Sequence, residues 1–169
     1  MELDDLASLI GAAQRSVFRL ETLAQYLVPA EAELIEAHRA GNPEPLPTPE
    51  SNPYLARVQT AVRRGIQWHR VHVLDHPLTD YLRYELWVYA SMQDVGEQIY
   101  IAERHSHPSL DALRQDFWLV DDSAAVTMIY DDEGRFVRPE RADLQRCRDM
   151  RDTALRHAEP FQDYRSRQT

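Results

Sequence analysis

The chain contains no lysine, because every one of its 19 basic side chains other than histidine is an arginine. Schiff-base catalysis, a P-loop lysine and a lysine general base are therefore excluded. A single cysteine, Cys147, permits no internal disulfide, which is typical of a reducing compartment. The five glycines are scattered along the chain and form no loop that cradles phosphate.

Long apolar runs are also lacking, so we expect no membrane-spanning segment. The first residues, Met1 to Asp5, are acidic, whereas a signal peptide begins with basic residues followed by an apolar stretch. Together with the single cysteine, these features predict a cytoplasmic protein.

The net charge is −9, from 28 acidic and 19 basic residues. A field of this sign opposes DNA and RNA, so direct nucleic-acid binding is not expected. With 169 residues, of which 43% are hydrophobic, the chain suffices for one globular domain with a sizeable core.

We expect four parts within that single domain. Residues 1–41 are predicted to be helical, and residues 42–53 form a proline-rich connecting loop. Residues 54–140 form the core sheet unit, and residues 141–169 hold a C-terminal helix.

The helical part contains apolar residues at helical spacing from Leu3 to Ile10. Val17, Leu20 and Leu23 continue the same spacing, so we expect them to extend that helical face. A second helix is predicted after Pro29.

The core unit is built around a helix, Asp80 to Val95, whose apolar groups lie on nearly all sides and predict burial. Three of its strands are predicted at Gln67 to Leu74, Gln98 to Ala102 and Asp116 to Val120. The fold class is therefore α/β or α+β: a mixed sheet of about five strands with a buried central helix, the N-terminal helices and the C-terminal helix packed around it.

Histidines and the cysteine offer little chemistry. His69 and His72 point to opposite faces of their strand, so they cannot ligate one metal ion together, and we interpret the histidines as surface residues. Cys147 lies in an arginine-rich helix without a paired motif, and no Gly-x-Ser-x-Gly is present. No metal, cofactor or catalytic residue is assigned.

Acids and arginines around the core unit are the better candidates for a site. Asp116, Asp121 and Asp122 flank one short strand, and loops at strand ends commonly carry sites. Arg70 and Arg83 lie near aromatic residues, of which Tyr81 is one, and arginine forks beside aromatic faces suit phosphate, carboxylate or stacked-base ligands. Ion pairing with the surplus acids is the alternative interpretation.

Five segments resemble an uncharacterised actinobacterial family known as a domain of unknown function. They are Phe18 to Leu23 with Tyr26, Val71 through Pro77 to Leu86, Gly96 to Ile99, Asp116 to Asp122, and Arg151 to Leu155. The first segment adds Arg19 and Glu21 to the candidate site residues. Members of that family are often encoded beside helix-turn-helix regulators of the XRE type, which implies a regulatory or partner-binding role.

A weaker likeness links residues 64–137 to one half of a phospholipase D-like domain. Such enzymes use the motif His-x-Lys-x4-Asp, and alignment on Asp121 places Arg114 and Asp116 at the histidine and lysine positions. If the likeness holds, it implies a binding groove without the phosphodiesterase chemistry.

Three functional hypotheses follow. The first is a non-enzymatic cytoplasmic regulatory protein whose acidic N-terminal half meets a basic partner, such as an XRE-type regulator. The second is a sensor of a phosphate- or nucleotide-like ligand, using Arg70, Arg83, Asp116 and Asp121. The third is an unrecognised hydrolase, which needs a deep pocket. The oligomeric state stays open.

Overall fold

A computed structural model describes residues 1–168, and within them the chain forms seven strands and six α-helices. The strands in chain order are β1 (Ser16–Glu21), β2 (Gln67–Leu74), β3 (Gln98–Glu103), β4 (Phe117–Val120), β5 (Ala124–Tyr130), β6 (Phe136–Arg141) and β7 (Glu159–Pro160). The helices are α1 (Leu3–Gly11), α2 (Ala32–Arg39), α3 (Pro53–Arg63), α4 (Asp80–Asp94), α5 (Leu144–Arg156) and α6 (Phe161–Gln168).

The strands form one mixed sheet in the order β6-β5-β4-β1-β2-β3-β7. β1, β2 and β3 are parallel, and the remaining pairs are antiparallel. The predicted α/β class with a mixed sheet is therefore confirmed. The expected count of about five strands is wrong, because the described chain has seven.

The missed central strand is β1, which lies in the part predicted to be helical. Val17 and Leu20 are three residues apart, so on a strand they point to opposite faces, and both are fully buried. A strand that is buried on both faces carries apolar residues without strict alternation, and this pattern imitates helical spacing. Leu23 lies beyond the strand and continues no helix.

The two faces of the sheet bury different residues. Phe18, Leu20 and Val71 belong to a cluster that includes Cys147 and Ala154 of α5. The opposite face of β1 and β2 carries Val17 and Trp68, which pack with α1 and α3. Further along, this second face carries charged residues instead of apolar ones.

The predicted central helix is confirmed as α4. It starts at an N-cap, Thr79, whose Oγ1 accepts a hydrogen bond from Leu82 N at 3.1 Å. Leu82 and Tyr89 are fully buried, and their cluster includes Ile99 and Ile101 of β3. This packing fixes the position of the side chains that α4 turns toward the charged part of the sheet.

Residues 22–52, here called the covering segment, pass over that charged part. Within Ala32–Arg39 none of the described residues is fully buried. The His38 ring lies 5.9 Å from the Tyr84 ring and 5.4 Å from the Trp87 ring, which attaches α2 to α4. Near its start, Leu27 N donates to Gly134 O at 2.8 Å.

Gly134 lies in the turn between β5 and β6 and has a φ of +83°, a conformation that L side chains rarely adopt. A Cβ at this position would lie 2.3 Å from Gln25 O. The turn and the covering segment therefore approach each other more closely than any side chain would allow.

None of the helices in the described part of the chain is both long and apolar enough to cross a membrane.

Candidate functional site

Arg70 is the most extensively bonded arginine on the charged part of the sheet. It is buried on β2, and its Nε donates to Glu97 Oε1 at 2.5 Å. Its Nη1 donates to Glu21 Oε2 at 2.9 Å, and its Nη2 donates to the Tyr54 hydroxyl at 2.6 Å. All three nitrogens of this guanidinium are therefore engaged by the protein.

Arg19 lies beside it, because β1 and β2 pair in a register that places Arg19 opposite Arg70. Its Nη2 donates to Asp116 Oδ2 at 3.1 Å and to the Tyr130 hydroxyl at 3.0 Å. Its Cζ lies 5.1 Å from the centre of the Trp118 ring. Its Nη1 is buried and has no hydrogen-bond partner anywhere in residues 1–168.

Asp116 is the acidic side chain that accepts a hydrogen bond from Arg19. It precedes β4, which runs antiparallel to β1, so it lies at the carboxyl end of β1. There it accepts hydrogen bonds from Thr22 N and Thr22 Oγ1, both at 2.8 Å, and from the Tyr26 hydroxyl at 2.5 Å. Burial raises the pKa of Asp116, although the neighbouring Arg19 acts in the opposite direction.

Two glutamates of the same cluster behave differently. Burial opposes ionisation of Glu21, but the charges of Arg70 and Arg19 outweigh it and lower its pKa to about 2. Burial and the negative charge of Glu21 raise the pKa of Glu85 to about 8. At neutral pH, these shifts favour the carboxylate form of Glu21 and the protonated form of Glu85.

A pocket of about 680 Å³ lies above these residues, between the sheet, α3, α4 and the covering segment. Eight aromatic residues contribute to its walls: Tyr26, Tyr54, Tyr81, Tyr84, Trp87, Trp118, Tyr130 and Phe136. Arg19, Arg70, Glu21 and Glu85 lie on its floor and α4 wall, and Glu31 and Glu44 of the covering segment complete the charged lining.

The structure brings together some of the site residues that the sequence suggested. Four of them line the pocket, namely Arg19, Glu21, Arg70 and Tyr81. Asp116 accepts a hydrogen bond from Arg19 but is not itself part of the lining. Arg83 lies elsewhere, exposed on α4, with its Nη1 3.5 Å from Asp80 Oδ1.

Asp121 and Asp122 lie at the far end of β4 and outside the pocket. Asp121 accepts hydrogen bonds from the backbone nitrogens of Gln14, Arg15 and Ser16 at 2.9, 2.7 and 3.0 Å. Asp122 pairs with Arg151 Nη1 at 2.6 Å. Both have positive φ, at 53° and 56°, so they form a turn that anchors the start of β1.

The interpretation of the histidines as surface residues is wrong for two of them. His69 and His72 are buried, since β2 is a central strand covered on both faces. Burial lowers the pKa of His69 to about 4 and also lowers the pKa of His72, whose Nδ1 lies 2.6 Å from the Tyr89 hydroxyl. In residues 1–168, no three His, Cys, Asp or Glu residues are grouped to hold a metal ion.

Sequence reasoning missed several residues of the site, among them Glu85, Glu97 and Tyr54. Glu85 carries a usable signal, because it lies three residues after Leu82 and four before Tyr89, on the buried face of α4. Glu97 and Tyr54 offer no such signal, since their contact with Arg70 joins three separate elements.

Comparison with solved structures supports the phospholipase D-like likeness at the level of fold. Fifteen chains match. One is described as the crystal structure of a phospholipase D family member, Nuc from Salmonella typhimurium, with a TM-score of 0.56 and 10% sequence identity. The match covers 94% of this chain and 89% of that chain. Such low identity shows the fold alone.

The positions that the alignment on Asp121 assigned to the phospholipase D motif do not converge here. Asp116 and Asp121 lie at opposite ends of β4, and Arg114 is exposed and donates through Nε to Asp111 O at 3.1 Å.

No curated protein matches the chain. A family profile described as "Domain of unknown function (DUF6879)" matches residues 4–166, which is nearly the whole chain. The chain therefore belongs to the DUF6879 family.

Proposed function

We propose that this protein binds a small organic molecule in the pocket above Arg19. The observation that carries the proposal is the buried Nη1 of Arg19, for which residues 1–168 offer no hydrogen-bond acceptor. Leaving a buried charged donor unsatisfied costs about 1–3 kcal/mol or more. Arg19 lines a pocket of about 680 Å³, which is the volume of typical small-molecule sites, and a ligand acceptor that reaches Nη1 would remove that cost.

The lining narrows the chemistry of this ligand. Its aromatic walls suit an apolar or aromatic body, and Arg19 suits a carbonyl, hydroxyl or carboxylate oxygen. Among the described residues, the buried cluster holds two guanidiniums, Arg19 and Arg70, and four carboxyl groups, Glu21, Glu85, Glu97 and Asp116. This balance disfavours the doubly charged phosphate of a nucleotide-like ligand, because the extra negative charge meets too few free cations.

The proposed function also includes a regulatory role for ligand binding. The covering segment borders the pocket through Leu27, Glu31, Leu34 and Pro45, so an occupied pocket would stabilise its position. A partner protein, such as an XRE-type regulator, would then bind the outer surface of the covering segment. Co-purification with such a regulator from the native cytoplasm, with and without ligand, tests this role.

A thermal-shift screen tests ligand binding itself. A fragment library containing cationic, anionic, neutral and zwitterionic aromatic compounds is added to the wild type, to Arg19→Gln and to Arg83→Gln. A ligand that binds the native state raises Tm. We expect hits on the wild type and on Arg83→Gln, with the shift reduced or lost in Arg19→Gln. The absence of any hit, or equal shifts in all three proteins, contradicts the proposal.

A further inference from the structure

Glu85 projects a buried carboxyl group into the pocket without a close cation of its own. It is only 7% exposed, and it contacts Arg70 Nη1 at 3.8 Å. The same nitrogen donates to Glu21 at 2.9 Å, so Glu21 holds the shorter and stronger contact. Glu85 is therefore the less well compensated of the two glutamates.

Glu31 of the covering segment lines the same pocket and adds a further negative group. The charged and titratable groups that act on Glu85 are Glu21 on β1, Arg70 on β2 and Glu31 on the covering segment, with Tyr81 on its own helix. Burial and the charge of Glu21 also raise the pKa of Glu31. The negative charges of Glu21 and Glu31 thus disfavour ionisation of Glu85, and Arg70 opposes them.

Aromatic rings border that space as well. Tyr81, Tyr84 and Trp87 follow along α4 near Glu85, and all three line the pocket. The face of an aromatic ring carries partial negative charge and attracts a cation. Rings and carboxyl groups on one wall therefore favour the same kind of ligand group.

We infer that the ligand of this pocket carries a positively charged nitrogen, an amine or a quaternary ammonium, which binds between Glu85 and Glu31. This inference rests on the proposed function. The buried Nη1 of Arg19, which has no acceptor in the described chain, independently favours an oxygen at the other end of the ligand. The ligand class is accordingly zwitterionic or amine-bearing, with an apolar body between the two polar ends.

Binding of a cation also has a consequence for protons. Glu85 is protonated below about pH 8 in the free protein, and a cation beside it favours the carboxylate. Glu85 then releases its proton to solvent as the ligand binds. A quaternary ammonium has no proton to lose, so any pH dependence of its affinity belongs to the protein.

Three matched probes test the inference by titration calorimetry. They are para-(trimethylammoniomethyl)benzoate, which is zwitterionic, para-neopentylbenzoate, which lacks the cation at the same shape, and benzyltrimethylammonium, which lacks the carboxylate. We expect the zwitterion to bind at least about tenfold more tightly than the neopentyl compound. We also expect the affinity of both quaternary ammonium probes to rise about tenfold between pH 6 and pH 8.5.

Two variants test which residue binds each polar end of the ligand, and each test has its own control. Glu85→Gln should remove the tenfold advantage of the zwitterion and its pH dependence, while Glu36→Gln, an exposed substitution on α2, should change neither. Arg19→Gln should weaken the zwitterion and leave benzyltrimethylammonium unchanged, because that probe has no oxygen for Arg19.

The outcomes separate this inference from the proposed function. If the neopentyl compound binds as tightly as the zwitterion, or if the library screen yields hits without any amine or quaternary ammonium, the inference is overturned and ligand binding stands. If neither the probes nor any library compound binds, the proposed function fails with it.

Discussion

Arg19 and Arg70 lie opposite each other on the paired strands β1 and β2, yet the protein satisfies them unequally. Arg70 donates from all three guanidinium nitrogens to Glu97, Glu21 and Tyr54. Arg19 donates from Nη2, whereas its Nη1 finds no acceptor within residues 1–168. Both arginines line the pocket, but Arg70 is fully bonded within the protein, whereas Arg19 keeps one buried donor without a partner in the described chain.

This difference predicts unequal losses of stability. Arg70→Met leaves Glu21 and Glu97 without their main buried cation, and we expect a loss of about 3–5 kcal/mol. Arg19→Met should cost less, because Asp116 keeps three hydrogen bonds from Thr22 and Tyr26. Urea denaturation of both variants measures the free energy of unfolding. An equal or larger loss for Arg19→Met would contradict this assignment.

The Tyr26 hydroxyl donates to buried Asp116 and accepts from Thr22 N at 3.2 Å and from Leu23 N at 3.3 Å. Tyr26→Phe removes all three bonds and should lower the free energy of unfolding by about 1–3 kcal/mol. Tyr100→Phe, at a half-buried tyrosine on the other face of the sheet, serves as the control and should change stability by much less. Similar effects at both positions would argue against the buried network.

The lowered pKa of His69 predicts a contribution to stability that is lost in weak acid. Its pKa is about 4 in the folded protein and 6.5 in the unfolded chain, so the unfolded chain binds more protons between these values. The contribution of His69 to stability should therefore fall as the pH drops from 6.5 to 4. His69→Phe removes this contribution, and relative to the wild type it should gain about 2–3 kcal/mol between pH 7 and pH 4. A constant difference between the two unfolding curves at all pH values would refute the prediction.

The stability contribution of Glu85 depends on pH in the opposite direction to that of His69. Its folded pKa of about 8 lies above the unfolded value of 4.5, so the folded protein binds the extra proton between them. The contribution of Glu85 to the stability of the wild type should fall as the pH rises from 4.5 to 8, by an amount on the order of a few kcal/mol. In Glu85→Gln this loss should be much smaller. Parallel pH profiles of the two proteins, from urea denaturation, would show that Glu85 ionises normally.

Substitution of Gly134 tests the contact between the β5–β6 turn and the covering segment. Gly134→Ala adds a Cβ where Gln25 O lies 2.3 Å away and requires a strained φ of +83°, so we expect a loss of at least about 2 kcal/mol. Gly11→Ala is the matched control, because a Cβ there meets nothing within 4 Å. Equal stability of the two variants would mean that the segment can move away freely.

Local patterns in the sequence predict most elements of the fold. The apolar spacing of α4 with its Thr79 cap, and the alternation in β2 and β3, depend on neighbouring residues and are read correctly. β1 is misread because burial on both faces hides its alternation.

The site is harder to predict, because its contacts join distant parts of the chain. Asp121 and Asp116 are both acids beside β4, but Asp121 accepts from the backbone of Gln14 to Ser16, whereas Asp116 contacts Arg19. Nothing local distinguishes a carboxylate that anchors a turn from one that supports a pocket. The order of the strands in the sheet decides it.

The most direct test is nitrogen-detected NMR of the Arg19 guanidinium in the wild-type protein, assigned by comparison with Arg19→Gln, during titration with the tightest ligand from the screen. Our account predicts that the Nη1 protons of Arg19 shift and exchange more slowly with water as the ligand binds, while the Arg70 signals change little. If a ligand saturates the protein and the Arg19 signals stay as they were, the pocket above Arg19 is not the ligand site.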